Sequence, residues 1–231
     1  MPNYPGYTLI RSKKRKQPMA LQLRQDGSLI IRAPYRTPDQ EVERFFRERQ
    51  GWIERKLAER AEKGACPKGP DFVDGEEFLY LGEGYPLDVE KAEGVRPRLT
   101  LFHGRFILTC EEQETARNLF ARWFRKQAQE EIPRRVGFWS RKLDLVPGGV
   151  RISSARTRYG SCSARNQLSF TWRLMMTPPA VIDYVVVHEL IHIREKNHSA
   201  RFWAQVEKVL PDYRTRRVWL KEHRNLLMLG I

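Results

Sequence analysis

Residues 177–192 read TPPAVIDYVVVHELIH, and this stretch decides the fold prediction. A threonine followed by two prolines is typical of a helix start, because proline fits the first helical turn, where its missing N–H is not needed. The apolar residues that follow predict a helix that is buried over most of its surface. At its end lie His188, Glu189 and His192, in the pattern HExxH.

The spacing of these three residues suits a metal site. Positions four apart share one face of a helix, so both imidazoles can bind one Zn²⁺ while the glutamate stands beside a bound water. His198 follows six residues later, after a polar segment in which the helix can end and the chain reverse. Because a catalytic zinc takes three protein ligands and keeps one position open, we predict one zinc ion per chain on His188, His192 and His198.

The alternative is a helix whose histidines fall in register by chance. The apolar neighbours Val185–Val187, Leu190 and Ile193 argue against it, since they would place the histidines in an apolar wall. A buried imidazole without a partner is costly, and a metal ion removes that cost.

A zinc site of this kind predicts hydrolytic chemistry. Zinc lowers the pKa of its bound water toward about 7, and Glu189 would take the proton as general base and return it to the leaving group. A second donor to the attacked oxygen is usually required. Tyr213, in a later short helix, is a candidate for that donor, and a tyrosine that only packs at a helix start is the other interpretation.

The rest of the chain predicts an α+β fold with two lobes. Residues 1–110 form a strand-rich amino-terminal lobe, with a hairpin turn at Asp26-Gly27 and one long helix over about residues 37–62. Residues 111–231 are predicted to form a second lobe that begins with a long helix, kinked or broken at Pro133. In this lobe a small antiparallel sheet packs against the HExxH helix. The boundary is soft, and one continuous domain is also compatible with the pattern.

Composition excludes several classes of protein. The chain has 231 residues, 41% of them hydrophobic, which is enough for a core without disulfide support. Cys66, Cys110 and Cys162 are odd in number and far apart, so they predict a reducing compartment rather than a disulfide framework. We expect a cytoplasmic protein without membrane contact, because no apolar stretch reaches the roughly 20 residues of a spanning helix and no secretory signal pattern is present. The sequence does not indicate an oligomeric state.

Basic residues outnumber acidic ones by 42 to 28, a net charge of +14. No carboxylate occurs between Leu145 and Ile182, a stretch that carries five arginines and leads into the HExxH helix. Guanidinium groups bind carboxylate or phosphate through two parallel hydrogen bonds, so Arg156 and Arg158 are candidate substrate-binding residues. A solvated strand face is the alternative.

Four runs of sequence resemble one known family: YVVVHELIH at 184–192, NHSARFW at 197–203, LPDY at 210–213 and RTRYGSCS at 156–163. They are similar to the YgjP-like metal-dependent hydrolases, which are grouped with zincin metallopeptidases and are akin to SprT-like and WLM domains. The resemblance implies that residues 111–231 form a zincin-like metallohydrolase lobe. It also implies metal ligation by His188, His192 and His198, with Glu189 as the catalytic base.

Three functions remain open at this point. The first, favoured by motif and resemblance, is a zinc peptidase acting on proteins or peptides. The second is a metal-dependent nucleotide pyrophosphatase of the UTP type, because some members of the family carry that name and the arginine-rich stretch suits an anionic nucleotide. The third is a nucleic-acid-associated protein that uses its basic surface and a structural zinc. It fits worst, since the glutamate of HExxH would then have no purpose.

Overall fold

The structure, a computed structural model, describes residues 3–4, 6–13, 18–23, 28–62, 69–90, 94–110 and 112–231. The chain divides into two compact units, Met1–Cys66 and Pro67–Ile231. Helices and small sheets occur in both units, which confirms the predicted α+β class. The predicted lobe boundary near residue 110 lies inside the second unit, where the elements on either side of it share one core.

The first unit joins a four-stranded sheet to two helices. Its strands lie in the order β1-β2-β4-β3, and its elements are β1 (Asn3–Tyr4), β2 (Tyr7–Ser12), β3 (Ala20–Leu23), β4 (Leu29–Pro34), α1 (Asp39–Glu48) and α2 (Gln50–Glu62). The single helix predicted over residues 37–62 is thus two helices, separated at Arg49. The predicted turn at Asp26-Gly27 lies outside the described residues, although β3 and β4 on either side of it pair antiparallel as expected.

The second unit opens with another four-stranded sheet and a long helix. The strands lie in the order β5-β6-β8-β7, and the elements are β5 (Glu77–Tyr80), β6 (Glu83–Glu90), β7 (Arg98–Phe102), β8 (Arg105–Thr109) and α3 (Gln113–Leu143). Phe120 of α3 stacks on Phe78 of β5 with ring centroids 4.2 Å apart, and it lies 5.3 Å from Phe106 of β8. These buried rings join the strands before residue 110 to the helix after it.

The long helix α3 continues through Pro133 without a break. A proline inside a helix removes one backbone hydrogen bond and crowds the preceding turn. Buried residues on both sides of it, Ile132, Val136 and Trp139, pack into the core of the second unit. This packing offsets the free-energy cost of the proline, and the helix is continuous.

A three-stranded sheet follows, with β9 (Gly149–Ser153), β10 (Gly160–Cys162) and β11 (Gln167–Thr171) in the order β10-β11-β9. The predicted antiparallel sheet is wrong in one respect, because β9 pairs parallel to β11. The reason is the connection after β9: the chain crosses through residues 154–159 and then forms the antiparallel hairpin of β10 and β11. A short 3-10 helix, Trp172–Met176, leads from β11 to the next helix.

The chain ends in three helices and a 3-10 turn: α4 (Pro179–Ile191), α5 (Ala200–Val209), α6 (Tyr213–Glu222) and Arg224–Met228. Pro178 caps α4 and Pro179 occupies its first turn, as the sequence predicts. Helix α4 contacts α3, α5, α6 and β10, which explains why most of its surface is buried. None of the helices within the described ranges combines the length and the apolar character needed to span a bilayer.

A polar network fixes the start of α4 against α3. Trp139 Nε1 donates to Asp183 Oδ1 at 3.0 Å, and the Arg135 guanidinium donates to the same oxygen at 2.7 Å. Arg135 also donates to the Pro179 carbonyl at 3.1 Å. Because these groups are largely shielded from water, the network holds the helix that carries the HExxH pattern in one position.

Candidate metal centre

Three imidazoles converge at the end of α4. His188 lies in its last turn, His192 caps its carboxyl end, and His198 lies in the loop before α5. The Nε2 atom of His198 is 3.0 Å from that of His188 and 3.2 Å from that of His192. Nitrogens bound to one tetrahedral Zn²⁺ at about 2.05 Å are separated by about 3.3 Å. These two separations fit a shared metal ion, and all three candidate ligand atoms lie within 4.8 Å of one another.

The surroundings keep the three rings in this arrangement. The ring of Phe202, which is fully buried, lies 4.8 Å from that of His188, 4.5 Å from that of His192 and 4.9 Å from that of His198. Ser199 caps α5 by accepting a hydrogen bond from the Phe202 backbone N–H at 3.3 Å. One cap and one phenylalanine thus place the loop histidine against the two histidines of α4.

The hydrogen bonding of His192 and the pKa values of His188 and His198 favour neutral imidazoles that can bind a cation. His192 Nδ1 lies 2.8 Å from the Glu195 carbonyl, and donation to that oxygen leaves the Nε2 lone pair free. Burial lowers the pKa of His188 to about 3, and it also lowers the pKa of His198. His188 Nδ1 is buried without a hydrogen-bond partner among the described residues. The three histidines together offer a donor set that could hold a divalent metal ion.

Glu189 lies beside the histidines and is only 6% exposed. Burial raises the pKa of its carboxyl to about 7, while the positive charge of Arg158 acts in the opposite direction. The backbone of Gly160 in β10 packs directly on this side chain: a Cβ at residue 160 would lie 2.7 Å from Glu189 Oε1. Position 160 therefore requires glycine, a residue that the sequence reasoning did not single out. A glycine inside a strand can mark the close approach of another segment, and this is the signal that the sequence offers at residue 160.

An aromatic wall continues from the histidines toward α6. The Trp203 ring stacks on His198 with centroids 5.6 Å apart, and on Tyr213 with centroids 5.4 Å apart. Tyr184 lies 5.8 Å from His188 on the same side. Tyr213 is buried as the first residue of α6, so the structure brings its ring into this wall. Its role as a donor stays a prediction.

The two candidate substrate-binding arginines lie in different surroundings. Both are exposed, and the charge of Arg158 acts on Glu189, whereas that of Arg156 acts on Arg173. Arg173 itself is fully buried and donates to the carbonyls of Ser154 and Ile231 at 3.3 and 2.9 Å. The arginine-rich stretch is thus neither one solvated face nor one binding surface.

The α+β fold and the histidine triad define a metal-binding class of protein. A family model described as YgjP-like, metallopeptidase domain, matches residues 17–223, and the chain therefore belongs to the YgjP-like family. This confirms the resemblance inferred from the sequence, and it supports a metal-dependent hydrolase of the metallopeptidase type. Neither the search of curated proteins nor the search of solved structures found a match.

Proposed function

We propose that this protein is a zinc-dependent peptidase in which Glu189 is the general base. The observation that carries the proposal is the convergence of three imidazole nitrogens, spaced at 3.0 and 3.2 Å, beside a buried carboxyl group. A zinc ion held by His188, His192 and His198 would supply the Lewis-acid chemistry that activates water for hydrolysis.

The environment of Glu189 suits proton transfer. With a pKa near 7, its carboxylate can take a proton from water at neutral pH and give it to the leaving amine. A bound cation would lower that pKa and keep the carboxylate ionised at rest. The backbone of Gly160 in β10 packs close to the Glu189 side chain and limits the space it can move into. Proton transfer at Glu189 Oε1 therefore takes place at a restricted position.

Strand β10 offers a place for an extended substrate. Among the described strands only β11 pairs with it, so β10 is an edge strand of its sheet. A peptide added to that edge would form backbone hydrogen bonds and run past Glu189, since β10 contacts that residue through Gly160. We propose Arg158 as a contact for substrate on this side and Tyr213 as the second donor, and Arg156 as a contact further from the metal.

A second candidate function is hydrolysis of a nucleotide phosphoanhydride of the UTP type. It is favoured by the absence of carboxylates between Leu145 and Ile182 and by Arg158, which forms no ion pair with any described residue. Guanidinium groups without carboxylate partners suit phosphate oxygens. Contact with nucleic acid through the net charge of +14 would be compatible with either activity.

Parallel assays distinguish these activities. The zinc-loaded protein and its Glu189→Gln variant are compared on a reduced and alkylated protein, on peptides and on a panel of nucleoside triphosphates, with Glu207→Gln as an exposed control. We expect peptide hydrolysis that falls by at least about a thousandfold in Glu189→Gln, with zinc content unchanged. Glu189-dependent release of pyrophosphate, without peptide cleavage, would replace the proposal with the second candidate.

A further inference from the structure

Helix α6 presents three arginines, and one of them differs from the other two. Arg214 pairs with Glu207 at 3.2 Å, and Arg216 pairs with Asp212 at 2.9 Å. Arg217 is exposed and forms no hydrogen bond or ion pair with any residue that the structure describes. Its guanidinium lies over the Trp203 ring, 4.9 Å from the centroid. An indole face orients a guanidinium without using its N–H donors.

Arg217 is also close to the candidate metal centre. The Trp203 ring under it lies 5.6 Å from the ring of His198 and 5.9 Å from that of His188. A cation with unused donors thus stands at the side of the site formed by α5 and α6.

We propose that Arg217 binds a carboxylate of the substrate and makes the enzyme prefer anionic peptides. The inference rests on the proposed peptidase function. An extended peptide advances about 3.3 Å per residue, so a carboxylate within about three residues of the cleaved bond comes within range of this charge. Two sources share this chemistry: an acidic side chain and the free carboxyl terminus of a peptide.

Binding measurements test the proposal separately from catalysis. The probes are three peptides of ten residues with one common alanine- and leucine-rich sequence: a neutral form capped at both ends, a capped form with one glutamate, and a form with a free carboxyl terminus. The zinc-loaded Glu189→Gln protein serves as the parent. Arg217→Gln, Arg217→Lys and the matched control Arg214→Gln are each added to it.

We expect at least one of the two anionic peptides to bind the parent about fivefold more tightly than the neutral peptide, as one partly exposed charge pair allows. Arg217→Gln should remove this preference, Arg217→Lys should retain part of it, and Arg214→Gln should leave it unchanged. The tighter of the two anionic peptides identifies the source of the carboxylate. Equal affinity for all three peptides, or a preference that survives Arg217→Gln, would overturn the proposal.

Hydrolysis of the same peptides by the protein with Glu189 intact completes the test. The preference for the anionic peptide should appear in KM rather than in kcat, because the contact forms before the bond is cleaved. If no peptide is cleaved while binding still depends on Arg217, the peptidase function fails and the anion-binding role of Arg217 stands. If cleavage depends on Glu189 but is indifferent to peptide charge, the peptidase function stands and the role of Arg217 fails.

Discussion

The two ends of helix α4 differ in how their polar side chains are paired. At its start, Asp183 accepts hydrogen bonds from Trp139 and Arg135, and the Pro179 carbonyl is paired as well. At its other end, His188 Nδ1 is buried without a partner in the described structure, and the histidine nitrogens face one another. Paired polar groups stabilise a fold, whereas imidazole Nε2 atoms that face one another at 3.0 and 3.2 Å fit a shared cation. The first end fixes the helix in place, and the second carries three histidines that could hold a metal ion.

The largest effect that we expect is the loss of zinc affinity when one of the three imidazoles is removed. His198→Ala leaves only two ligands, so we expect zinc affinity to fall by more than about a hundredfold while the fold is retained. His103→Ala, at an exposed histidine in the turn between β7 and β8, is the control. Competition with a chromophoric chelator measures both variants. Zinc affinity unchanged by His198→Ala would show that the third ligand lies elsewhere.

The second largest effect that we expect is a loss of kcat when the contact between β10 and Glu189 is disturbed. In Gly160→Ala the new methyl group would lie 2.7 Å from Glu189 Oε1 and displace the carboxylate. A displacement of this kind costs about ten- to a hundredfold in kcat, with zinc content unchanged. Gly137→Ala is the matched control, because a Cβ at residue 137 meets its nearest atom at an ordinary 3.7 Å. Full activity of Gly160→Ala would mean that the position of Glu189 does not matter.

The start of α4 should respond in stability rather than in chemistry. Asp183→Ala removes the acceptor of two hydrogen bonds, so we expect the free energy of unfolding to fall by about 1–3 kcal/mol in urea titrations. Glu207→Gln breaks the exposed pair with Arg214 and should cost no more than about 0.5 kcal/mol. Zinc affinity should be preserved in both. A loss of zinc without a loss of stability in Asp183→Ala would erase the distinction between the two ends.

The convergence of three histidines is the part of the candidate site for which the sequence pattern and the structure agree most closely. Helical spacing predicts that His188 and His192 lie together, and the polar segment after them predicts that the chain can bring His198 back to them. In the structure the Nε2 atom of His198 lies 3.0 and 3.2 Å from theirs. The start of α4 at Pro178 and Pro179 is equally local information. Such local features can be predicted from the sequence because the geometry of a helix determines which nearby residues lie together.

Features that depend on contacts between distant segments could not be predicted from the sequence in this way. The parallel pairing of β9 with β11 depends on a crossover that no local pattern specifies. Arg173 belongs to an arginine-rich stretch, yet it is buried because its guanidinium reaches the Ser154 and Ile231 carbonyls. Arg217 looks like one more charge on a basic helix until Trp203, fourteen positions earlier, is placed under it. Each of these depends on contacts between distant segments.

Metal removal and return tests the proposed zinc-dependent hydrolysis most directly. The protein is stripped with a chelator, and peptide hydrolysis is followed as Zn²⁺ is added back in known amounts. We predict that stripping abolishes hydrolysis and that activity rises in proportion to added zinc, ending at one equivalent per chain. Hydrolysis that survives stripping, or activity that shows no break at one equivalent, would contradict a single catalytic zinc on the three histidines.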